Sequence, residues 1–480
     1  MAPLTMRKEV LATMVILVVL LAACEGCNNR NQPSSNRKNT FVSEAGINHT
    51  PGPRTVHEKT FLDKVEVGGM LVDLDAIPEN LVLEKEIGLL TNRYVAGQVI
   101  YRSPEPRARL YETRFIKTPK GDYLLMFPDG GHYASKQRKV NDLVAYRSHD
   151  KGQTWHGPTV PIKIDYNLHG FIPLIPRGSS RIYCFGTQPI LAGKDTFDGR
   201  ENAVIGYRYS DDDGYTWSDV HVIKPTNDPG FQGMSIMRMC ETDTGAWLIG
   251  SHAAKWIYDP EHASRKDGQI IITRQYILRS QDQGKGWVVM PTPRPDGWYV
   301  KAYNRMDELR PINLGDGKIL AVARTQEGRL WQLRSYDDGK TWTDPEPTPI
   351  VHPDAPSMLF HLSDGKTLIV FHHNRQNPKR LHDDWTSRSE IWCSLSHDDG
   401  ETWSEPRFVF ANALAETFMK KDRPDYNRNY QCSYVDMIVD AGQVHIVFPH
   451  RWRQVVHIKF KEKAIQDFPV KADIEKLVAE

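Results

Sequence analysis

Ser396-His397-Asp398-Asp399-Gly400-Glu401-Thr402-Trp403 is the stretch on which the reading of this chain turns. Its pattern, Ser-x-Asp-x-Gly-x-Thr-Trp, is written five times. The other copies begin at Ser148 (SHDKGQTW), Ser210 (SDDDGYTW), Ser280 (SQDQGKGW, with Gly286 in place of the Thr) and Ser335 (SYDDGKTW). Successive copies start about 60 residues apart, a period that points to a repeat architecture. Asp and Ser side chains hydrogen-bond nearby backbone and replace a missing strand partner, and Gly supplies the positive φ of a tight turn. Thr bonds locally, and the Trp caps an apolar layer while its N–H reaches a carbonyl. Each copy follows a strand-like run: DLVAYRS, AVIGYRYS, QYILRS, LWQLRS, IWCSLS. A single copy would be an ordinary acidic turn; five in register, each behind a strand, mark five equivalent hairpins.

Upstream of the boxes the chain repeats a second hairpin type, in RFIKTPKGDYLLMF, MRMCETDTGAWLIG, PINLGDGKILAVAR and LFHLSDGKTLIVFH. Two hairpins per repeat make four strands, and four-stranded units repeated radially make a β-propeller. The boxes number five blades. The run SYVDMIVDAGQVHIVFPHRWRQVVHIKF supplies three further strands, and a strand near Val99 is expected to complete a sixth blade. The fold class is therefore all-β, a six-bladed propeller of four-stranded antiparallel blades spanning residues 95–460, with residues 61–94 as an N-terminal β elaboration and 461–480 as a helical tail.

The remaining segments concern export. Arg7 and Lys8 precede an apolar run from Val10 to Leu21, too short for a comfortable membrane span, and Leu21-Ala22-Ala23-Cys24 follows. That sequence resembles the lipobox of bacterial lipoproteins. The resemblance implies a signal peptide over 1–23, lipidation of Cys24 and attachment to a bacterial membrane, periplasmic or at the cell surface. Residues 24–60, rich in Asn, Ser, Lys, Arg and Pro, read as a disordered tether. The other cysteines, Cys27, Cys184, Cys240, Cys393 and Cys432, are odd in number and show no pairing motif, which argues against a disulfide framework.

A net charge of +1 gives no electrostatic reason for nucleic-acid binding. His372 and His373 alternate faces on a strand without a third ligand, so no metal site is expected, and no phosphate loop or nucleophile elbow is present. No cofactor is implied, and the protein is expected to be a monomer.

The repeated boxes at this spacing resemble those of the sialidase (neuraminidase) superfamily of six-bladed propellers, over roughly residues 95–460. In that family the boxes lie away from the reacting centre, so the chemistry rests on other residues. An anionic sugar calls for Arg, with its planar, permanently charged donors. A nucleophile beside the sugar's own carboxylate is best neutral, which suits Tyr activated by Glu. A general acid must protonate the leaving oxygen.

The likeness implies these roles residue by residue. In ELRPINLGDGKILAVAR, Glu308 matches the base that activates the Tyr and Arg324 a carboxylate-binding Arg. Arg388, eight residues before Ser396, matches a further substrate-binding Arg, with Arg375 as competitor. Tyr434 in SYVDMIVD matches the nucleophile, with Tyr430 as neighbour. Blade 1 departs from the family. Arg114 in TRFI is the nearest echo of the first Arg, but it lies too close to the Gly121 turn; counting back to the family spacing reaches Tyr111, and Arg109 is an alternative. Where the family has its acid Asp this chain has Ser135 and Lys136, leaving Asp129 and His132 as the nearest proton carriers. The expectation is an exo-glycosidase acting on terminal, acidic sugars of glycans. Its alternatives are another glycosidase or lyase using His132, or a non-catalytic carbohydrate-binding propeller.

Overall fold

The computed structural model describes residues 57–103, 110, 112–129, 140–165, 172–188, 204–227, 235–261, 267–291, 297–300, 306–376, 385–417 and 431–479. Cys24, with the signal and most of the tether, lies outside them. Six antiparallel blades are present. Blade 1 consists of Arg114–Lys117, Tyr123–Asp129, Val140–Ser148 and His156–Asp165; blade 2 of Ile172–Leu174, Ile182–Gln188, Val204–Ser210 and His221–Val222. Blade 3 consists of Ser235–Glu241, Trp247–Tyr258, Gln269–Ser280 and Val288–Met290; blade 4 of Met306–Gly315, Lys318–Thr325, Arg329–Ser335 and Glu346–Val351. Blade 5 holds Met358–His361, Leu368–His372, Glu390–Ser396 and Arg407–Asn412. Blade 6 takes Asp436–Asp440, Gln443–His450 and Gln454–Lys461 from the C-terminal side, and its outer strand is Ala96–Arg102. The first strands of successive blades pack on one another and form the wall of a central axis.

The Ser, Asp and Gly of the boxes are built as their sequence requires, while the expected indole bond is made by Trp287 and Trp342, to the carbonyls of Gly284 and Gly339 at 3.0 and 3.1 Å, and not by Trp155 or Trp403. In each box, the Ser hydroxyl accepts the Gly N–H, at 2.7 Å for Ser148–Gly152 and 2.9 Å for Ser396–Gly400. The Asp carboxylate takes both groups of the Thr: in Asp398 the N–H of Thr402 at 2.9 Å and its hydroxyl at 2.5 Å. These donors hold the Asp398 carboxyl down at about 2. Gly286, in the variant box, keeps only the backbone bond to Asp282, at 2.7 Å. Boxes also join blades. Arg147, Arg279 and Arg334, each just before a box Ser, donate to the carbonyls of Asp213, Asp338 and Asp399 in the next blade's box, at 2.6, 3.0 and 3.0 Å.

Residues 57–92 add a layer on blade 5. Leu81–Glu84 and Leu89–Asn92 extend its sheet to six strands, and the hairpin Lys64–Val67/Met70–Asp73 packs over Trp392. The strand His57–Phe61 pairs with Leu414–Thr417. This corrects the expectation of a disordered tether reaching residue 60: the backbone groups of Leu414–Thr417 find their ladder partner in the tether's last residues. A helix, Lys471–Ala479, ends the described chain.

The two-residue turns after the first strands share an end of the propeller with the boxes, since the Asp338 N–H donates to Gly317 O at 2.8 Å. The starts of the first strands and the ends of the second therefore lie together at the opposite end.

Candidate active site

At that opposite end the backbone is strained in a patterned way. Glu112, Glu308 and Tyr434 have φ of 50°, 54° and 60°. Left-handed conformation costs a non-glycine residue about 1–3 kcal/mol and persists only where its surroundings impose it. At Glu308 they do: the ladder shifts register between Asp307 and Arg310, the Leu309 N–H donates to Gln275 Oε1 at 2.9 Å, and the Ser357 hydroxyl donates to the Glu308 carbonyl at 3.3 Å. Near Tyr434 the Cys432 N–H donates to the Arg388 carbonyl at 2.8 Å, which ties the tyrosine segment to the arginine.

Four predicted residues meet here. Arg324 donates to both oxygens of Glu308, at 3.2 and 3.3 Å, and through Nε to Asp354 Oδ1 at 2.5 Å. Arg388, closing the short helical turn Trp385–Arg388, donates to the Asp354 carbonyl. Asp354 thus bridges the two guanidiniums. Tyr434 is buried, and its hydroxyl feels the charges of Glu308, Arg324, Glu112 and Arg388. Burial, then Glu308, push the Tyr434 phenol well above its usual value. Burial opposes the charge on Arg324, but Asp354 and Glu308 prevail and raise it well above the usual range. Arg388 is lowered, by burial first and then by Arg324.

One step further down the axis lies a second layer. Each left-handed residue is followed two positions later by a member of it: Arg114, Arg310 and Asp436. Arg310 approaches Asp436 at 3.6 Å and lies over the Phe360 ring at 4.0 Å from its centroid; Arg238 of blade 3 donates to the same carboxylate. The other Asp436 oxygen accepts the Phe115 N–H at 2.9 Å. Burial and the charges of Arg238 and Arg114 pull Arg310 well below its usual value.

Arg114 belongs to the lower layer, where it pairs with Glu112 at 3.2 Å and its charge reaches Arg310. Arg375, the competitor of Arg388, is held by Glu66 at 2.5 Å and lies 3.6 Å from Glu390, against the N-terminal hairpin. The side chain of Asp129, and His132, Arg109, Tyr111, Tyr430, Ser135 and Lys136, lie outside what the structure describes. Among the described residues no cluster of His, Cys, Asp and Glu is arranged to hold a metal ion. Reading the sequence missed two carboxylates. Asp354 sits in a proline-rich loop (HPDAPS) that carries no motif; Glu112 could have been found from the parallel of Glu112-Thr113-Arg114 with Glu308-Leu309-Arg310.

A buried phenol within electrostatic reach of two carboxylates and of two guanidiniums bridged by Asp354 has the parts for nucleophilic attack and for holding an anionic or polyhydroxylated ligand.

Comparison with known proteins agrees with the fold. The curated anhydrosialidase of Macrobdella decora is 23% identical over 274 residues, which are 53% of this chain and 31% of that protein. The match thus spans about a third of the relative's length. The structure resembles the NanB sialidase of Streptococcus pneumoniae (TM-score 0.51, 11% identity, 78% of this chain and 71% of that one). It also resembles the Hadza microbial sialidase Hz136 (TM-score 0.52, 15% identity, 77% and 69%). Identities this low speak to the fold. The sequence pattern of the BNR repeat-like domain runs over residues 191–446, from blade 2 into blade 6 and across more than half of the 480 residues, and on that match this chain belongs to the BNR repeat-like domain family.

Proposed function

We propose that the protein is an exo-glycosidase of sialidase type, removing terminal sugars from glycans. One observation carries this reading: Tyr434 and Glu308 stand at equivalent left-handed positions in blades 6 and 4, and Tyr434 lies in the field of Glu308, Arg324 and Arg388. In the first step the Tyr434 oxygen bonds to the anomeric carbon as the glycosidic C–O bond breaks. The phenolic proton passes to Glu308, and a general acid protonates the leaving oxygen. In the second, the deprotonated general acid takes a proton from water as the water oxygen displaces Tyr434 from the anomeric carbon, and Glu308 returns the phenolic proton to Tyr434. Asp129, the last residue of the second strand of blade 1, and His132, three positions on, are the acid candidates. Arg324 and Arg388, bridged by Asp354, are the groups that meet an acidic substituent, with Arg114 behind Glu112. Because relatives bear the names sialidase and anhydrosialidase, a sialoside is the first substrate to try. A second reading, a related glycosidase whose sugar lacks a carboxylate, is favoured by the presence of Glu112 at the site.

The test is release of fluorophore from an aryl sialoside by the purified domain beside Tyr434→Phe. The expected loss in the variant is about a thousandfold in kcat. No release by the wild type sinks the sialidase reading; undiminished release by the variant sinks the tyrosine assignment. We further propose that Cys24 is the lipid attachment point, supported by the Leu21-Ala22-Ala23-Cys24 stretch behind the apolar run. In a bacterial host Cys24→Ser is expected to move the protein from the membrane pellet to the soluble fraction and to abolish incorporation of labelled fatty acid.

A further inference from the structure

Blades 1, 4 and 6 use one backbone device at the mouth of the axis, and blade 1 fills it with a carboxylate. Glu112 is to Arg114 what Glu308 is to Arg310 and Tyr434 to Asp436: left-handed, buried, and two residues ahead of a lower-layer side chain. The Phe115 N–H donates to Asp436 Oδ2 at 2.9 Å, so the start of blade 1's first strand, with Glu112, lies beside the start of blade 6's, with Tyr434. The upper layer then holds the carboxylates of Glu112, Glu308 and Asp354 against the guanidiniums of Arg324 and Arg388. Arg324 is already engaged by two of those carboxylates. Arg114 lies one layer down, as do Arg310 and Arg238, with Glu112 as its counter-ion, and its Nη1 donates to the Thr113 carbonyl at 3.0 Å.

We propose that Glu112 is a specificity-determining residue: from blade 1 it turns a carboxylate toward the bound sugar, so that wall accepts hydroxyls and rejects a carboxylate. A carboxylate is an acceptor-only group that pairs readily with sugar O–H donors. Against a second carboxylate in a buried, weakly screened setting it is repulsive, and such repulsion is a common way to select among similar ligands. The inference rests on the glycosidase reading of the site and narrows it to a glycon that offers hydroxyls to blade 1.

The experiment is calorimetric titration of wild type, Glu112→Gln and Glu112→Asp with 2-deoxy-2,3-dehydro-N-acetylneuraminic acid and with its methyl ester. Melting curves establish that each variant is folded. The wild type is expected to prefer the acid over the ester by less than about tenfold, and Glu112→Gln to increase that preference about tenfold, since one buried repulsion is removed. Glu112→Asp keeps the charge and should keep the wild-type ratio. An unchanged ratio in Glu112→Gln overturns the inference alone. Should Glu112→Gln fail to fold, the wild-type ratio decides: a preference for the acid of about a hundredfold or more overturns it. If neither the wild type nor a variant binds either compound, the site does not take this sugar, and the sialidase reading falls together with this inference.

Discussion

Asp354 is the residue on which the two site arginines depend, and it reacts with nothing itself. Its carboxylate holds Arg324 Nε and the amide of Gln326, and its carbonyl takes Arg388. Removing one partner of a buried ion pair strands the other charge, at a cost of about 3 kcal/mol. Asp354→Ala is therefore expected to destabilise the fold by about 3 kcal/mol in urea titration. If Arg324 and Arg388 bind substrate, it should also raise KM for an aryl sialoside more than it lowers kcat; an unchanged KM would show that the bridge serves the fold alone. Glu308, Arg324, Arg388 and Tyr434 were legible because a strand and its turn fix their spacing from a Gly or a box Ser. Glu112 was not. Counting back from Gly121 reaches Tyr111, whereas the left-handed position is one residue later, and φ is decided by tertiary contacts that spacing does not encode. Asp354 was invisible for a related reason, since a loop carboxylate has no periodicity to betray it.

Among the elements, the hairpins were the most legible, because each box supplies its own hydrogen-bond partners and folds the same way wherever it is placed. The N-terminal layer was read only as β-rich, since its docking rests on contacts with blade 5 hundreds of residues away in sequence, one of them a buried carboxylate. Glu390 of blade 5, fully buried, accepts the Gly68 N–H at 2.7 Å and the Trp392 indole N–H at 2.9 Å. Those two bonds and nearby Arg375 favour its charged form, but burial outweighs them and raises its carboxyl to about 7. A carboxyl raised in the folded state contributes stability below its unfolded value, and that contribution is lost as pH rises through the folded one. The hairpin Lys64–Asp73 should thus be held most firmly near about pH 5 and loosen toward about pH 8. Glu390→Gln keeps the acceptor for both N–H groups without a charge. It is expected to match the wild type at about pH 5 and to exceed it by about 2 kcal/mol at about pH 8 in denaturant titrations. Equal pH profiles for the two proteins would remove Glu390 as the cause.

The six blades close into a ring where Ala96–Arg102 pairs with Gln454–Lys461 to finish blade 6. The sequence placed that strand correctly, at the strand-like run AGQVIYR that directly precedes blade 1. What it did not reveal is the histidine column at the closure. His457 and His445 stack at 5.3 Å between centroids and share a hydrogen bond of 3.1 Å, and Gln98 of the closing strand reaches both His457 and the Gly152 carbonyl of blade 1. Burial first, then mutual repulsion and Lys459, lower His457 to about 3; burial and Lys459 lower His445 to about 4. His450, beside the same strand, falls to about 3, mainly through burial. An imidazole kept neutral in the fold lends stability that is complete above its unfolded value near about 6.5 and disappears as pH falls toward the folded one. Each adds stability at neutral pH that acid removes. Acid unfolding is therefore expected to be steep and to begin at the ring closure. Tryptophan fluorescence followed from about pH 7 to pH 3 should give a cooperative transition, and His457→Gln should shift its midpoint to lower pH by several tenths of a unit. An unmoved midpoint would mean that the seam is not where acid opens the ring.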